Sequence, residues 1–204
     1  MTRPRTVHLV DDDAAVRSSL GGLLALCGFQ VRPYASGRAL LDAAAALQEG
    51  CILLDLRMPD LSGLEVQAEL ARLAIDLPVI FLTAHGDVPT GVSAMKRGAH
   101  DFLLKPVREE VLLDALEHAF ARFDAQAVRR DAVRRARRLL ATVTPREREV
   151  IALVAGGMRN REIAARLDIS LQTVKVHRMR AMAKLEVETM PQLTRVWAEA
   201  TGTP

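Results

Sequence analysis

Four short apolar runs, Val7–Val10, Ile52–Leu54, Val79–Leu82 and Phe102–Leu104, alternate with helix-like stretches through the first 123 residues. Runs this short, rich in β-branched or large apolar residues, read as strands buried on both faces. A weaker strand falls near Gln30–Pro33. Between the first two runs Val16, Leu20, Leu23, Leu24 and Cys27 recur at helical spacing, and Gly28 stops that helix. Ser62-Gly63-Leu64-Glu65 has the form of a capping box, and Asp87 is placed to cap a further helix with Pro89 in its first turn. The count is five βα units. Such a repeat implies an α/β, doubly wound, five-stranded parallel sheet with helices on both faces, whose ligands sit at the carboxyl ends of the strands.

Those strand ends carry chemistry. Asp11 and Asp12 follow the first strand, Asp55 the third, Thr83 the fourth and Lys105 the fifth. In a parallel sheet these ends lie on one edge, so the five groups converge. Crowded carboxylates repel, and a divalent cation with oxygen ligands, Mg²⁺ by preference, relieves them. Lys105 as a point charge and Thr83 as a donor suit a phosphoryl group. The chemistry that fits is phosphorylation of a carboxylate. Taken singly, each residue is ordinary: an aspartate after a strand is most often a turn former or helix cap, the reading given to Asp13. All five at the correct strand ends together point to that chemistry. No zinc-like cysteine or histidine spacing, Walker loop or G-x-S-x-G elbow competes with it.

The rest of the chain reads differently. No Gly or Pro occurs between Pro106 and Pro145. Glu109–Phe123 is amphipathic, with Val111, Leu112, Ala115, Leu116, Ala119 and Phe120 on one side, and residues 124–141 are dominated by Ala and Arg. Ala and Arg favour a helix running on as a charged linker; a break near Asp124 and a flexible tether is the alternative. Thr144-Pro145-Arg146-Glu147 opens a helix that Gly156-Gly157 ends. Asn160 is placed to cap a second helix, Ser170 a third, and Pro191 begins a fourth. Two short helices joined by the tight Asp168–Ser170 turn in a basic segment read as a helix-turn-helix.

Charge divides the chain in the same way. Residues 1–123 hold 12 Lys+Arg against 16 Asp+Glu, and residues 124–204 hold 16 against 9. The basic part is the candidate for a polyanion; a solvated arginine surface is the competing reading. No apolar run approaches the roughly 20 residues of a membrane helix. Asp11–Asp13 stand where a secretory leader would be apolar, and Cys27 and Cys51, both in apolar company, fit a reducing cytosol, so a cytoplasmic protein is expected.

Val10-Asp11-Asp12-Asp13, Leu54-Asp55-Leu56-Arg57-Met58-Pro59 with Gly63, Thr83-Ala84-His85-Gly86-Asp87-Val88 and Lys105-Pro106 resemble the receiver domain of two-component response regulators. Thr144–Val150, Asn160–Ala164, Ile169-Ser170 and Thr173-Val174-Lys175-Val176-His177-Arg178 resemble their LuxR-type helix-turn-helix output domain. The combination is similar to the FixJ subfamily and covers nearly the whole chain. It implies a flavodoxin-like receiver over 1–123, a helical linker over 124–141 and an all-α, four-helix DNA-binding domain over 142–204.

The resemblance also implies roles. Asp55 would be the phospho-acceptor, with Asp11, Asp12, Asp55 and the backbone carbonyl of Arg57 holding Mg²⁺. Thr83 and Lys105 would meet the phosphoryl oxygens, Phe102 would turn inward on activation, and Lys105–Pro106 would be cis. The third output helix, about Leu171–Lys184, would enter the major groove, with Arg161, Thr173, Lys175, Val176, His177 and Arg178 at the DNA. Met179 stands where some relatives carry a polar base-contacting residue. Partners would be a sensor histidine kinase, double-stranded promoter DNA, a second copy on phosphorylation, and RNA polymerase, with no membrane. The receiver would assist only its own phosphoryl transfer and loss, so no enzyme is expected. The rivals are a Mg²⁺-dependent aspartyl-phosphate phosphohydrolase and a phosphate sink without DNA function. The first wants a second acid/base aspartate two residues after the nucleophile, where Arg57 stands.

Overall fold

A computed structural model describes residues 5–84 and 88–202. The expected Asp87 cap lies outside the described residues. The chain divides into two compact units, 1–124 and 125–204.

In the first unit the order is β1 (Thr6–Val10), α1 (Ala14–Leu26), β2 (Gln30–Tyr34), α2 (Gly37–Asp42), a 3-10 turn, β3 (Gly50–Asp55), α3 (Gly63–Arg72), β4 (Val79–Thr83), α4 (Val88–Lys96), β5 (Asp101–Leu104) and the start of α5 (Glu109–Ala141). All strands are parallel, in the order β2-β1-β3-β4-β5. Side chains alternate across a strand, so each face has its own core. Val7, Leu9, Leu53, Ile80 and Leu82 pack with Leu24 of α1 and with Leu112, Leu116 and Phe120 of α5. Val10, Ile52, Leu54 and Phe81 pack with Leu40 of α2, Val66 and Leu70 of α3, and Ala94 of α4. That is the doubly wound arrangement the alternating runs predict.

The first unit departs from the sequence pattern at three places. The Phe102–Leu104 strand is not buried on both faces: among the described residues β5 pairs only with β4, and Leu104 is 54 % exposed. Position at the sheet edge, which composition does not reveal, accounts for this. Cys27 caps the C-terminal end of α1 and is exposed, with only Cys51 buried. Val111 falls one residue off the stripe formed by Leu112, Ala115, Leu116, Ala119 and Phe120 and is exposed.

The α5 helix runs 33 residues without interruption at Asp124. Its residues 125–141 belong to the second unit, with α6 (Pro145–Ala155), α7 (Asn160–Leu167), α8 (Leu171–Lys184) and α9 (Met190–Thr201). This unit closes over Leu140, Val150, Ile151, Val154, Ile163, Val174, Ala181, Leu185 and Leu193. Thr144 and Glu147 form the capping box of α6, and Glu147 is buried with its carboxylate 2.6 Å from Lys184 Nζ. Ser170 caps α8 by accepting from Thr173 N–H at 3.0 Å. Asn160 is not a cap: it is the first residue of α7, and the Arg159 N–H before it donates to Glu162 Oε2 at 2.8 Å. Thr189 caps α9, which begins at Met190, one residue before Pro191.

Candidate functional site

The site is built at the carboxyl edge of the sheet by register alone. Val10 of β1 pairs with Leu54 of β3, so Asp11 and Asp55 emerge side by side. Asp55 pairs with Leu82, and Thr83 with Leu104, which brings Thr83 and Lys105 to the same edge. Lys105 N–H donates to the Thr83 carbonyl at 2.7 Å and turns the chain, and the Lys105–Pro106 bond is cis.

The side chains meet as the strand ends require. Oxygens of Asp11, Asp12 and Asp55 lie within 4.8 Å of one another. Lys105 Nζ is 2.6 Å from Asp11 Oδ2 and 3.2 Å from Asp55 Oδ1. Asp11 and Thr83 are buried, Asp55 is 7 % exposed and Asp12 is open to solvent. Burial pushes the Asp55 carboxyl above the ordinary aspartate range, against the lowering charge of Lys105. Burial pulls the Lys105 ammonium down, but its hydrogen bond to Asp11 and the charges of Asp55 and Asp11 outweigh that and hold it above its usual value. Three carboxylates against one ammonium leave excess negative charge in a set of hard oxygen donors. That donor set fits a Mg²⁺ ion.

Supporting contacts fix these groups. Asp13 accepts from Ala15 N–H at 2.8 Å and caps α1, as read. Asp11 Oδ1 accepts from Asp13 N–H at 3.0 Å, and Arg17 donates to the Asp11 carbonyl at 2.7 Å. The role of Arg17 was not read from sequence, although it is the one charged residue in α1. Gly63 donates its N–H to the Leu56 carbonyl at 2.9 Å and seats α3 directly behind Asp55. Arg57 is exposed two residues past Asp55. Phe102 is half-buried, its ring beside the space left by Gly91.

In the second unit α7 and α8 are joined by a turn in which Asp168 takes a left-handed conformation, φ 51°. Arg159, Arg161, Leu171, Lys175 and Arg178 line a concavity of about 530 Å³ with Asn160 and Glu162. Lys175 and Arg161 are exposed; Thr173, Val176, His177 and Arg178 are half-buried. Val174 and Leu185 lie in the core. The Thr173 hydroxyl is engaged with Ser170 Oγ at 2.8 Å. Arg178 donates to Asn160 Oδ1 at 3.2 Å and to Met190 Sδ at 3.2 Å, a double anchor with no signal in the sequence. Met179 is 64 % exposed.

Residues 7–117 match the response regulator receiver domain family, and residues 141–197 match the bacterial regulatory proteins of the luxR family. The chain is 43 % identical over 191 residues to the transcriptional regulatory protein FixJ of Rhizobium meliloti, covering 94 % of each. This chain belongs to the response regulators. The tetrathionate response regulatory protein TtrR of Salmonella typhimurium is 44 % identical over 190 residues, 93 % of this chain and 90 % of that one. Among solved structures, the response regulator StyR aligns with TM-score 0.82 and 38 % identity over 97 % of this chain and all of its own. Full-length FixJ from B. japonicum aligns with TM-score 0.62 and 35 % identity, covering 97 % and 98 %. As a response regulator with a LuxR-type helix-turn-helix, the protein is a phosphorylation-controlled regulator of transcription. Among the described residues, no helix is long and apolar enough to cross a membrane.

Proposed function

We propose that this response regulator accepts a phosphoryl group on Asp55 from a sensor histidine kinase and then binds promoter DNA as a dimer in the cytoplasm. The observation that carries the reading is the lysine bridge. One ammonium, Lys105, holds two carboxylates that come from different strands, 2.6 Å from Asp11 and 3.2 Å from Asp55. A merely structural ion pair needs one carboxylate. Asp55 is the nucleophile because it stands centrally on β3, between the Asp11/Asp12 pair and Thr83. An oxygen of Asp55 bonds to phosphorus as the P–N bond of the donor phosphohistidine breaks, and the electron pair stays on the imidazole nitrogen. Thr83 and Lys105 then meet the new phosphoryl oxygens. Asp11, Asp12, Asp55 and the Arg57 backbone carbonyl would hold Mg²⁺, which supplies neutralisation of charge during transfer. The acyl phosphate carries about −1.5 to −2 charges in place of the single carboxylate charge and brings three acceptor oxygens, drawing Thr83 toward it and releasing space for Phe102 to turn inward.

The receiver, residues 1–123, would dimerise through α4 and β5, where Val92, Met95 and Leu104 are exposed. A linker over 124–141 leads to the DNA-binding domain over 142–204. There Arg161, Thr173, Lys175, Val176, His177 and Arg178 present the α7–α8 surface to the major groove. Sedimentation of unmodified and phosphorylated protein, paired with DNA titration, tests the switch. Phosphorylation is expected to raise both dimer content and DNA affinity, the latter about 5–150-fold for a coupling free energy of about 1–3 kcal/mol. No change in either refutes the mechanism.

A further inference from the structure

The positive charge of the second unit is not confined to the helix-turn-helix. Residues 125–141 carry six arginines and one aspartate, whereas the 63 residues from 142 to 204 carry ten Lys+Arg and seven Asp+Glu. The larger excess therefore sits on the C-terminal half of α5, largely outside the segment matched to the luxR family. Arg129, Arg134, Arg137 and Arg138 line, with Arg195 of α9, a groove of about 1260 Å³. The groove is thus walled by two helices, with Asp131 and Glu199 among its lining residues.

Some of this charge is already used within the unit. Arg134 pairs with Asp131 at 2.6 Å, Arg135 with Glu186, and Arg195 with Glu199 at 3.8 Å. Arg129, Arg137 and Arg138 are exposed and have no carboxylate partner among the described residues. Three guanidinium groups left over after these pairs call for an anionic occupant. A second copy of the same helix would bring arginines against arginines and is disfavoured. The apolar lining is three alanines and the exposed Val128, too little to seat a protein helix. Phosphates need no apolar floor; they need fixed guanidinium forks, and one unit carries both this groove and the recognition helix.

We propose that the C-terminal half of α5, through Arg129, Arg137 and Arg138, is a second and sequence-independent contact surface for the phosphate backbone of duplex DNA. The inference rests on the DNA-binding reading of the α7–α8 surface and adds affinity, not base discrimination, to it.

The test uses the full chain and a random-sequence duplex of about 30 base pairs, titrated across a salt series. The variant R129Q/R137Q/R138Q replaces exposed arginines with another good helix former, and its thermal unfolding is compared with the parent. Each neutralised phosphate contributes about 0.9 to the slope of log affinity against log salt, so the triple variant is expected to flatten that slope by about 2–3. A parallel variant, R161Q/K175Q, alters only the α7–α8 surface. A slope unchanged in the triple variant but flattened in R161Q/K175Q overturns the inference and leaves the DNA-binding reading standing. Salt-insensitive binding by the parent removes that reading, and the inference with it. An unchanged slope with loss of poly-L-glutamate binding assigns the groove to an acidic protein and also overturns the inference.

Discussion

A Cβ atom placed on Gly63 would stand 2.6 Å from the carbonyl oxygen of Asp55 and 2.8 Å from the ring of Phe81. The first residue of α3 therefore touches the backbone of the proposed acceptor, and only hydrogen fits between them. Gly63→Ala is expected to cost about 1–3 kcal/mol through overpacking, read from urea unfolding. It should also slow labelling by a small phosphodonor, because the Asp55 peptide must move. Unaltered labelling in a folded Gly63→Ala variant would mean that this contact does not position the carboxylate.

Asp55→Asn should abolish the acid-stable, base-labile phosphoryl adduct seen by mass spectrometry. It should also stabilise the apoprotein at neutral pH. The sign follows from burial, which raises the Asp55 pKa in the folded chain above its unfolded value. Stability is then lost as pH rises from the ordinary carboxylate range toward the raised value, and a neutral amide escapes that loss. The Tm advantage of the variant should vanish in acid. Mg²⁺ should stabilise the parent, by about 2.7 kcal/mol at one hundred times its Kd, and Asp12→Ala should remove most of that gain.

Lys105→Met keeps the length of the side chain and removes the charge between two buried carboxylates. Breaking such a pair costs about 3 kcal/mol, since Asp11 and Asp55 are left uncompensated. The folded Lys105 pKa lies above its ordinary value, so its contribution is full below that value and fades as pH rises through the raised one. Urea unfolding should show the parent's advantage persisting to about pH 9 and shrinking above about pH 10.5.

In the output unit Glu147 accepts from Lys184 Nζ at 2.6 Å and from the Thr144 N–H at 2.9 Å. The hydrogen bond from Lys184 leads in drawing its pKa down to about 2. The associated stability is present above the ordinary glutamate value of about 4.5 and is lost as pH falls toward about 2. Glu147→Gln should destabilise the unit by roughly 1–3 kcal/mol at pH 7, with a smaller difference in acid. A parent and variant that lose stability in parallel below pH 5 would contradict the assignment.

The fold was readable because parallel strands announce themselves as continuous apolar runs, and their ends fall at Asp11, Asp55, Thr83 and Lys105 whatever the exact boundaries. Edge position was not readable: Phe102–Leu104 is as apolar as Ile52–Leu54, yet only one flank of β5 is paired. Long-range partners were equally hidden. Arg17 reaching the Asp11 carbonyl, and Asn160 accepting from Arg178 instead of capping its own helix, depend on where two helices meet in space. Local propensity for an Asn cap lost to that tertiary contact.

The double anchor of Arg178 sets what kind of reader this helix would be in the proposed complex. Two of its five N–H donors are committed to Asn160 and Met190, so its rotamer is frozen before any DNA arrives. The entropy of ordering a long side chain, about 0.5–1.5 kcal/mol for an interface residue, is surrendered during folding instead of during binding. In the proposed complex Arg178 then acts as a rigid template against which a sequence either matches or fails, while unanchored Lys175 one turn earlier is left to search.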